Sequence, residues 1–378
     1  MSAPITIEAV RRHEAEMLRD IQELVEFESP SSDKRAVDRL GELLAAKFES
    51  MGARIQFHKA EKFGNHLQAD FAGSGTKPVL LLGHIDTVWD LGTLAKMPFR
   101  IADDRAWGPG VLDMKAGIVM AIYAIQLLKQ IGGLLRPVTI LLNTDEEVGS
   151  ESSRRITEKI AGSCEAVFVL EPGQGLEGAL KTARKGVGDY HIKVTGKAAH
   201  AGVDFQSGAS AIRELARIVE RVSEFTDLSR GLTVNVGVIS GGTRGNVVPA
   251  EAQGEIDIRV ERMSDADELH RKFQSLTVAD SRCKLKISGG VNRPPMERTE
   301  KIAALFQKAR AYAAELGFVL EEKSTGGGSD GNFTAALGIP TLDGLGAVGE
   351  GAHALHESIL LKYLAPRTAL LARLISGV

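Results

Sequence analysis

Short apolar runs punctuate the first half of the chain. Pro78–His84 (PVLLLGH), Val138–Asn143 (VTILLN) and Ala166–Leu170 (AVFVL) are almost wholly apolar, the pattern of strands buried on both faces. Helical patterns over Lys115–Ile131 and Ser152–Ile160 lie between them. This alternation predicts an α/β domain, an open mixed sheet with helices on both faces.

The period changes after Pro172. Gly188–Gly196, Leu232–Ile239 and Gly254–Val260 alternate apolar and polar residues, which predicts an antiparallel sheet with one exposed face. Helical stretches over Ala209–Val222 and Ala266–Leu276 intervene, so this part reads as a smaller α+β insert. Gly289–Pro295 (GGVNRPP) reads as a return linker, and helices over Glu300–Leu316 and Ser358–Ser376 complete the first domain. The expected division is residues 1–184, 185–294 and 295–378.

Composition adds exclusions. Of 378 residues, 43% are hydrophobic and 25% charged, as in ordinary soluble proteins. A net charge of -3 offers no basic field for nucleic acid. The N-terminal stretch from Met1 to Phe27 alternates charged and apolar residues at helical spacing, unlike a signal peptide, and no other stretch is expected to approach the roughly 18 apolar residues of a membrane span, so no membrane partner is expected. Cys164 and Cys283 form no CxxC pattern, which points to a reducing, cytoplasmic setting.

Acids and histidines recur at the ends of the apolar strands. His84 and Asp86 (GHIDTV) close the first, Glu146 and Glu147 (TDEEVGS) follow the second, and Glu171 (LEP) ends the third. Asp113 (GPGVLDMKAG) stands in a glycine-rich turn before a helix, where alone it would read as a cap. Strand ends in open α/β sheets converge on one edge. Like charges about 4 Å apart repel by about 4 kcal/mol at an effective dielectric near 20, so such a cluster needs compensation. A pair of divalent cations supplies it, with imidazole and carboxylate as ordinary zinc ligands. GAHALHE, late in the chain, offers His353 or His356 as a further ligand. A different chemistry is also legible: Gly327–Gly331 matches a GxSxG elbow around Ser329, with Asp343 and His353 following in hydrolase order.

GHIDTV, GPGVLDMKAG, TDEEVGS, LEP, GKAAHAG, TGGGSDG and GAHALHE, in this order, resemble the motifs of the co-catalytic zinc exopeptidases. That family includes glutamate carboxypeptidase, acetylornithine deacetylase, succinyl-diaminopimelate desuccinylase, aminoacylases and peptidase T. The resemblance implies a zinc exopeptidase-like fold, an inserted dimerisation and lid domain, a homodimer, and two Zn2+ per subunit, replaceable by Co2+ or Mn2+. His84 and Glu171 are then expected on one zinc, Glu147 and His353 on the other, and Asp113 between them. Asp86 would orient His84, and Glu146 would be the general base. From the insert, His200 would stabilise the oxyanion of the partner subunit's site, and Asn246 and Arg259 would clamp a substrate carboxylate. Gly328 and Arg293 are further substrate-binding candidates. Lys181 and Lys185 both stand where a lysine reading the substrate side chain is sought, and Met114 replaces an Asp found in some relatives. The implied substrate is a small molecule or short peptide with a free C-terminal carboxylate, cleaved as by glutamate carboxypeptidase, or an N-acyl amino acid that is deacylated.

Overall fold

The computed structural model describes residues 5–378, so the first four residues of the N-terminal pattern lie outside it. The chain forms two compact units. One takes the chain up to Ala183 with Arg298–Thr325 and Ser329–Val378, and the other takes Arg184–Glu297 with Gly326–Gly328.

The first unit is built on a six-stranded sheet. Its strands are β1 (Arg54–His58), β2 (His66–Phe71), β3 (Val79–His84), β4 (Val138–Asn143), β5 (Ala166–Val169) and the short Thr341–Leu342. They are ordered β1-β2-β4-β3-β5 with Thr341–Leu342 outermost. β1, β2 and β4 pair antiparallel, while β4, β3, β5 and the last strand run parallel, giving the mixed α/β sheet. Every residue of β3, β4 and β5 is buried, which is why these strands read as unbroken apolar runs. His84 stands beside Asn143, and Leu82 beside Val169, so the three strands end level at one edge.

Helix Ala116–Ile131 is apolar all round because it is enclosed by the core. With the turn before it, Val111–Ile131 spans 21 residues, contains an 18-residue window of mean hydropathy 1.7, and is long and apolar enough to cross a membrane by length and composition. That corrects the expectation that no segment comes near this limit; 89% of the apolar window is buried inside the protein. Helix Lys34–Ser50 turns Val37, Leu40, Leu44 and Phe48 inward, and Asp33 caps it by accepting from the Ala36 amide at 2.9 Å. The helix expected over Ser358–Ser376 is shorter. Ser358–Leu360 pairs instead with Arg105–Trp107, and the helix runs over Leu364–Gly377 with Pro366 in its first turn, where the lost N–H costs nothing.

The second unit holds strands β6 (Gly186–Thr195), β7 (Thr233–Gly241), β8 (Glu251–Val260) and β9 (Lys284–Arg293), all antiparallel in the order β7-β8-β6-β9. Helices Ala211–Ser223 and Met263–Gln274 cover one face, packing Leu215, Ile218, Leu269 and Phe273 on Tyr190, Ile192, Ile256 and Ile258. The segment read as a linker is largely strand: Gly289–Arg293 pairs with β6. Gly289 permits a close approach, since a Cβ there would lie 2.1 Å from the Asp189 carbonyl oxygen.

Candidate metal centre

At the level edge of β3, β4 and β5, His84 ends its strand, Glu146 and Glu147 occupy a single 3-10 turn just beyond β4, and Glu171 follows β5. Asp113 lies in the turn before helix Ala116–Ile131, with extended dihedrals (φ -116°, ψ 88°) and a cis bond to Met114. It is not a helix cap. His353 comes from the loop between the paired strands Gly349–Glu350 and Ser358–Leu360, and its φ of 63° is one that few residues other than glycine adopt.

These side chains meet. His84 Nε2 is 3.2 Å from Asp113 Oδ1 and 3.5 Å from Glu171 Oε1. His353 Nε2 is 3.4 Å from Asp113 Oδ2 and 3.1 Å from Glu147 Oε2. Each oxygen of Asp113 therefore faces a different imidazole, and each imidazole has its own glutamate. Ligand atoms of His84, Glu146 and Glu171, and of His84, Asp113 and Glu147, lie within 4.8 Å of one another. His353 and His356 are both exposed and lie outside these two groups, but the ring of His353 is the one that faces Asp113 and Glu147.

The electrostatics are those of a cation site. Burial disfavours charge on His84, but Asp113, Asp86 and Glu171 outweigh it and raise its pKa well above the ordinary imidazole value. Hydrogen bonds to Asp113 and Glu147 push His353 up to about 10. Burial opposes ionisation of Asp113, yet the two imidazoles hold it well below the usual carboxylate range. Glu147 is raised by burial, and its Oε1 is buried with no hydrogen-bond partner among the described residues. That orphaned oxygen, with a hard donor set of imidazole and carboxylate, fits divalent metal ions.

A buried layer holds these residues in place. His84 Nδ1 lies 3.0 Å from the backbone oxygen of Asp86 and 3.5 Å from its carboxylate. The Asp86 carboxylate accepts from Ser31 Oγ at 2.7 Å and from the Glu146 and Glu147 amides at 3.3 Å each. Asp86 thus ties the glutamate turn as well as the imidazole. Asp145 accepts from Ser152 and Ser153, and Asp330 accepts from Asn143 and Ser150, closing the loop from behind. Ser31, Asn143, Asp145 and Asp330 in this layer had no assigned role in the sequence. Asp330 lies in the quoted TGGGSDG run, but nothing local marks Ser31.

Ser329 is fully buried and donates to Asp343 at 2.5 Å, while His353 faces Asp113 and Glu147. The elbow reading fails because its serine has no histidine and no access to solvent.

The remaining candidates divide between the units. His200, Asn246, Arg259, Gly328 and Arg293 belong to the second. There His200 and Asn246 are exposed, Arg293 is buried, and Arg259 forms two 2.9 Å hydrogen bonds to Asp257 on its own strand. Arg293 Cδ would be 3.0 Å from a Cβ at Gly328. Lys181 is buried in the first unit, and Lys185 of the second donates to the Gly231 carbonyl.

Comparison with known proteins decides the family. Residues 80–377 match the model of peptidase family M20/M25/M40. The chain belongs to that family. Its members are metal-dependent, and this chain is a metallopeptidase-class amide hydrolase. Carboxypeptidase G2 of Pseudomonas sp. (strain RS-16) is 31% identical over 92% of this chain and 86% of that protein. Acetylornithine deacetylase of Myxococcus xanthus is 31% identical over 50% of this chain and 51% of that one. The fold is that of solved family members. Aminopeptidase PepT from Bacillus cereus superposes with a TM-score of 0.82 at 22% identity, covering 96% of this chain and 98% of that one. An M20 family metallo-carboxypeptidase from Sulfolobus solfataricus gives 0.73 at 18% identity, with coverage of 96% and 98%.

Proposed function

We propose that this chain is a di-zinc carboxypeptidase of the carboxypeptidase G kind, cleaving the amide next to a free C-terminal carboxylate. The observation that carries this reading is Asp113, whose two oxygens face His84 and His353, each beside its own glutamate. His84 and Glu171 would hold one zinc, His353 and Glu147 the other, and Asp113 would serve both. When bound, the two cations supply Lewis acidity and lower the pKa of water from 15.7 toward about 7.

Glu146 stands next to this set on a turn fixed by Asp86, and it takes the proton of the attacking water and returns it to the leaving amine. His200 is assigned the developing oxyanion, Asn246 and Arg259 the substrate carboxylate, and Gly328 and Arg293 further contacts to the substrate. Arg259 would exchange Asp257 for the substrate; its planar fork fits either carboxylate. The second unit's outer strand β7 leaves Val238 and Ile239 54% and 63% exposed, which supports pairing with a second copy. Sedimentation should then show a dimer that Val238→Lys and Ile239→Lys together dissociate.

The match to acetylornithine deacetylase favours a second reading, deacylation of N-acyl amino acids. Assay of zinc-loaded protein on C-terminal glutamyl amides, dipeptides and N-acetyl amino acids decides between them. Highest kcat/KM on an acyl group with a C-terminal glutamate is expected; preference for N-acetyl amino acids would establish the second reading. Activity on neither, with zinc bound, would overturn both.

A further inference from the structure

Glu357 is fully buried, yet its carboxylate is crowded with donors. Oε1 accepts from the amides of Leu112 at 2.9 Å and Asp113 at 3.1 Å. Oε2 accepts from the Gly110 amide at 2.9 Å and the Trp89 indole at 2.8 Å. Three of the four amides of the 110–113 turn, the one that presents Asp113, therefore end on one side chain, while the Val111 amide donates to the Gly108 carbonyl. That side chain lies four residues after His353, on the same loop, and the Glu357 amide closes the loop by donating to the Ala354 carbonyl at 2.9 Å.

We infer that Glu357 is a positioning residue that fixes Asp113 relative to His353, and so sets the spacing of the two metal positions. This rests on the di-zinc reading above. Asp113 has to present one oxygen to each half of the site, and its main-chain amide is held by the loop that supplies the ligand of one half. Neither residue can shift without dragging the other. A glutamine here keeps shape but turns an NH2 toward the Gly110 amide and the Trp89 indole, opposing two donors with a third. An aspartate keeps the charge but withdraws it by one methylene from all four donors.

The test is zinc titration against a chromophoric chelator, together with the visible spectrum of the Co2+ form, for wild type, Glu357→Gln and Glu357→Asp, each checked for a native melting transition. Loss of outer partners of metal ligands costs 10- to 100-fold in affinity. Both variants are expected to bind zinc about 10- to 100-fold more weakly, with an altered Co2+ spectrum and a lower kcat at little-changed KM. Wild-type zinc affinity and an unaltered Co2+ spectrum in either folded variant would overturn the inference while leaving the di-zinc reading intact. Fewer than two zinc ions per chain in the wild type would overturn the di-zinc reading, and this inference with it.

Discussion

The amides of Glu146 and Glu147 both end on Asp86, so exchanging one side chain leaves their turn in place. Glu146→Gln should therefore keep its full metal content while kcat drops by about 10²–10⁴-fold, the range of general acid–base assistance. Metal analysis beside steady-state kinetics checks this, and near-normal turnover at full metal content would remove Glu146 as the base. Ser31 acts one step further back. Its hydroxyl is bonded to the buried Asp86 Oδ2, and removing one partner of a buried polar group costs about 1–3 kcal/mol. Ser31→Ala should lose that much stability in urea denaturation and weaken zinc binding, while Ser31→Thr should restore most of both. Equal behaviour of the alanine and threonine variants would show that the hydroxyl is idle. Nothing near Ser31 in the chain announces this role, because its partner is 55 residues away and the contact exists only in the fold. His84, Glu146, Glu147 and Glu171, by contrast, are legible as a candidate cluster because each stands at or just beyond the end of a buried strand, whereas Asp113 and His353 sit in loops and are marked only by the motif resemblance.

Elements differ in how plainly the chain spells them. β3, β4 and β5 are legible because burial on both faces permits only apolar residues. β1 (RIQFH), at the sheet edge, has no such constraint and leaves no period to read. β9 is obscured by Gly289 and Gly290, which read as a break, although both pair with β6 and Gly289 allows a close approach to it. The alternating strand β6 supplies a prediction of its own. Tyr190 stacks on Phe273 with ring centroids 3.8 Å apart, and its hydroxyl lies 2.9 Å from His270 Nδ1. Burial pushes its pKa up to about 12 from 10.0. A folded-state pKa above the unfolded value means the native protein holds the proton more tightly. Tyr190 therefore contributes stability fully below pH 10 and loses it as pH rises toward 12. Denaturant unfolding at several pH values should show wild type losing more stability than Tyr190→Phe across that window. Parallel curves would show that the hydroxyl titrates as it does in the unfolded chain.

At the scale of the whole molecule, every residue assigned to the metal comes from the first unit, although His353 lies 240 residues and a complete second unit beyond Asp113. A cation bound there closes a long loop and favours only the folded first unit. With free zinc at a hundred times its Kd, each site should add about 2.7 kcal/mol to that unit's stability. The chain carries its own reporter, for both tryptophans, Trp89 and Trp107, lie in the first unit. Tryptophan fluorescence on heating should therefore show a midpoint that rises with zinc and falls with a chelator. Trp89 makes the signal local as well, because its indole is bonded to Glu357, next to the turn that holds Asp113. A fluorescence midpoint indifferent to zinc, in protein shown to bind it, would mean that binding is not coupled to folding of the first unit, and the ligands would have to be sought elsewhere.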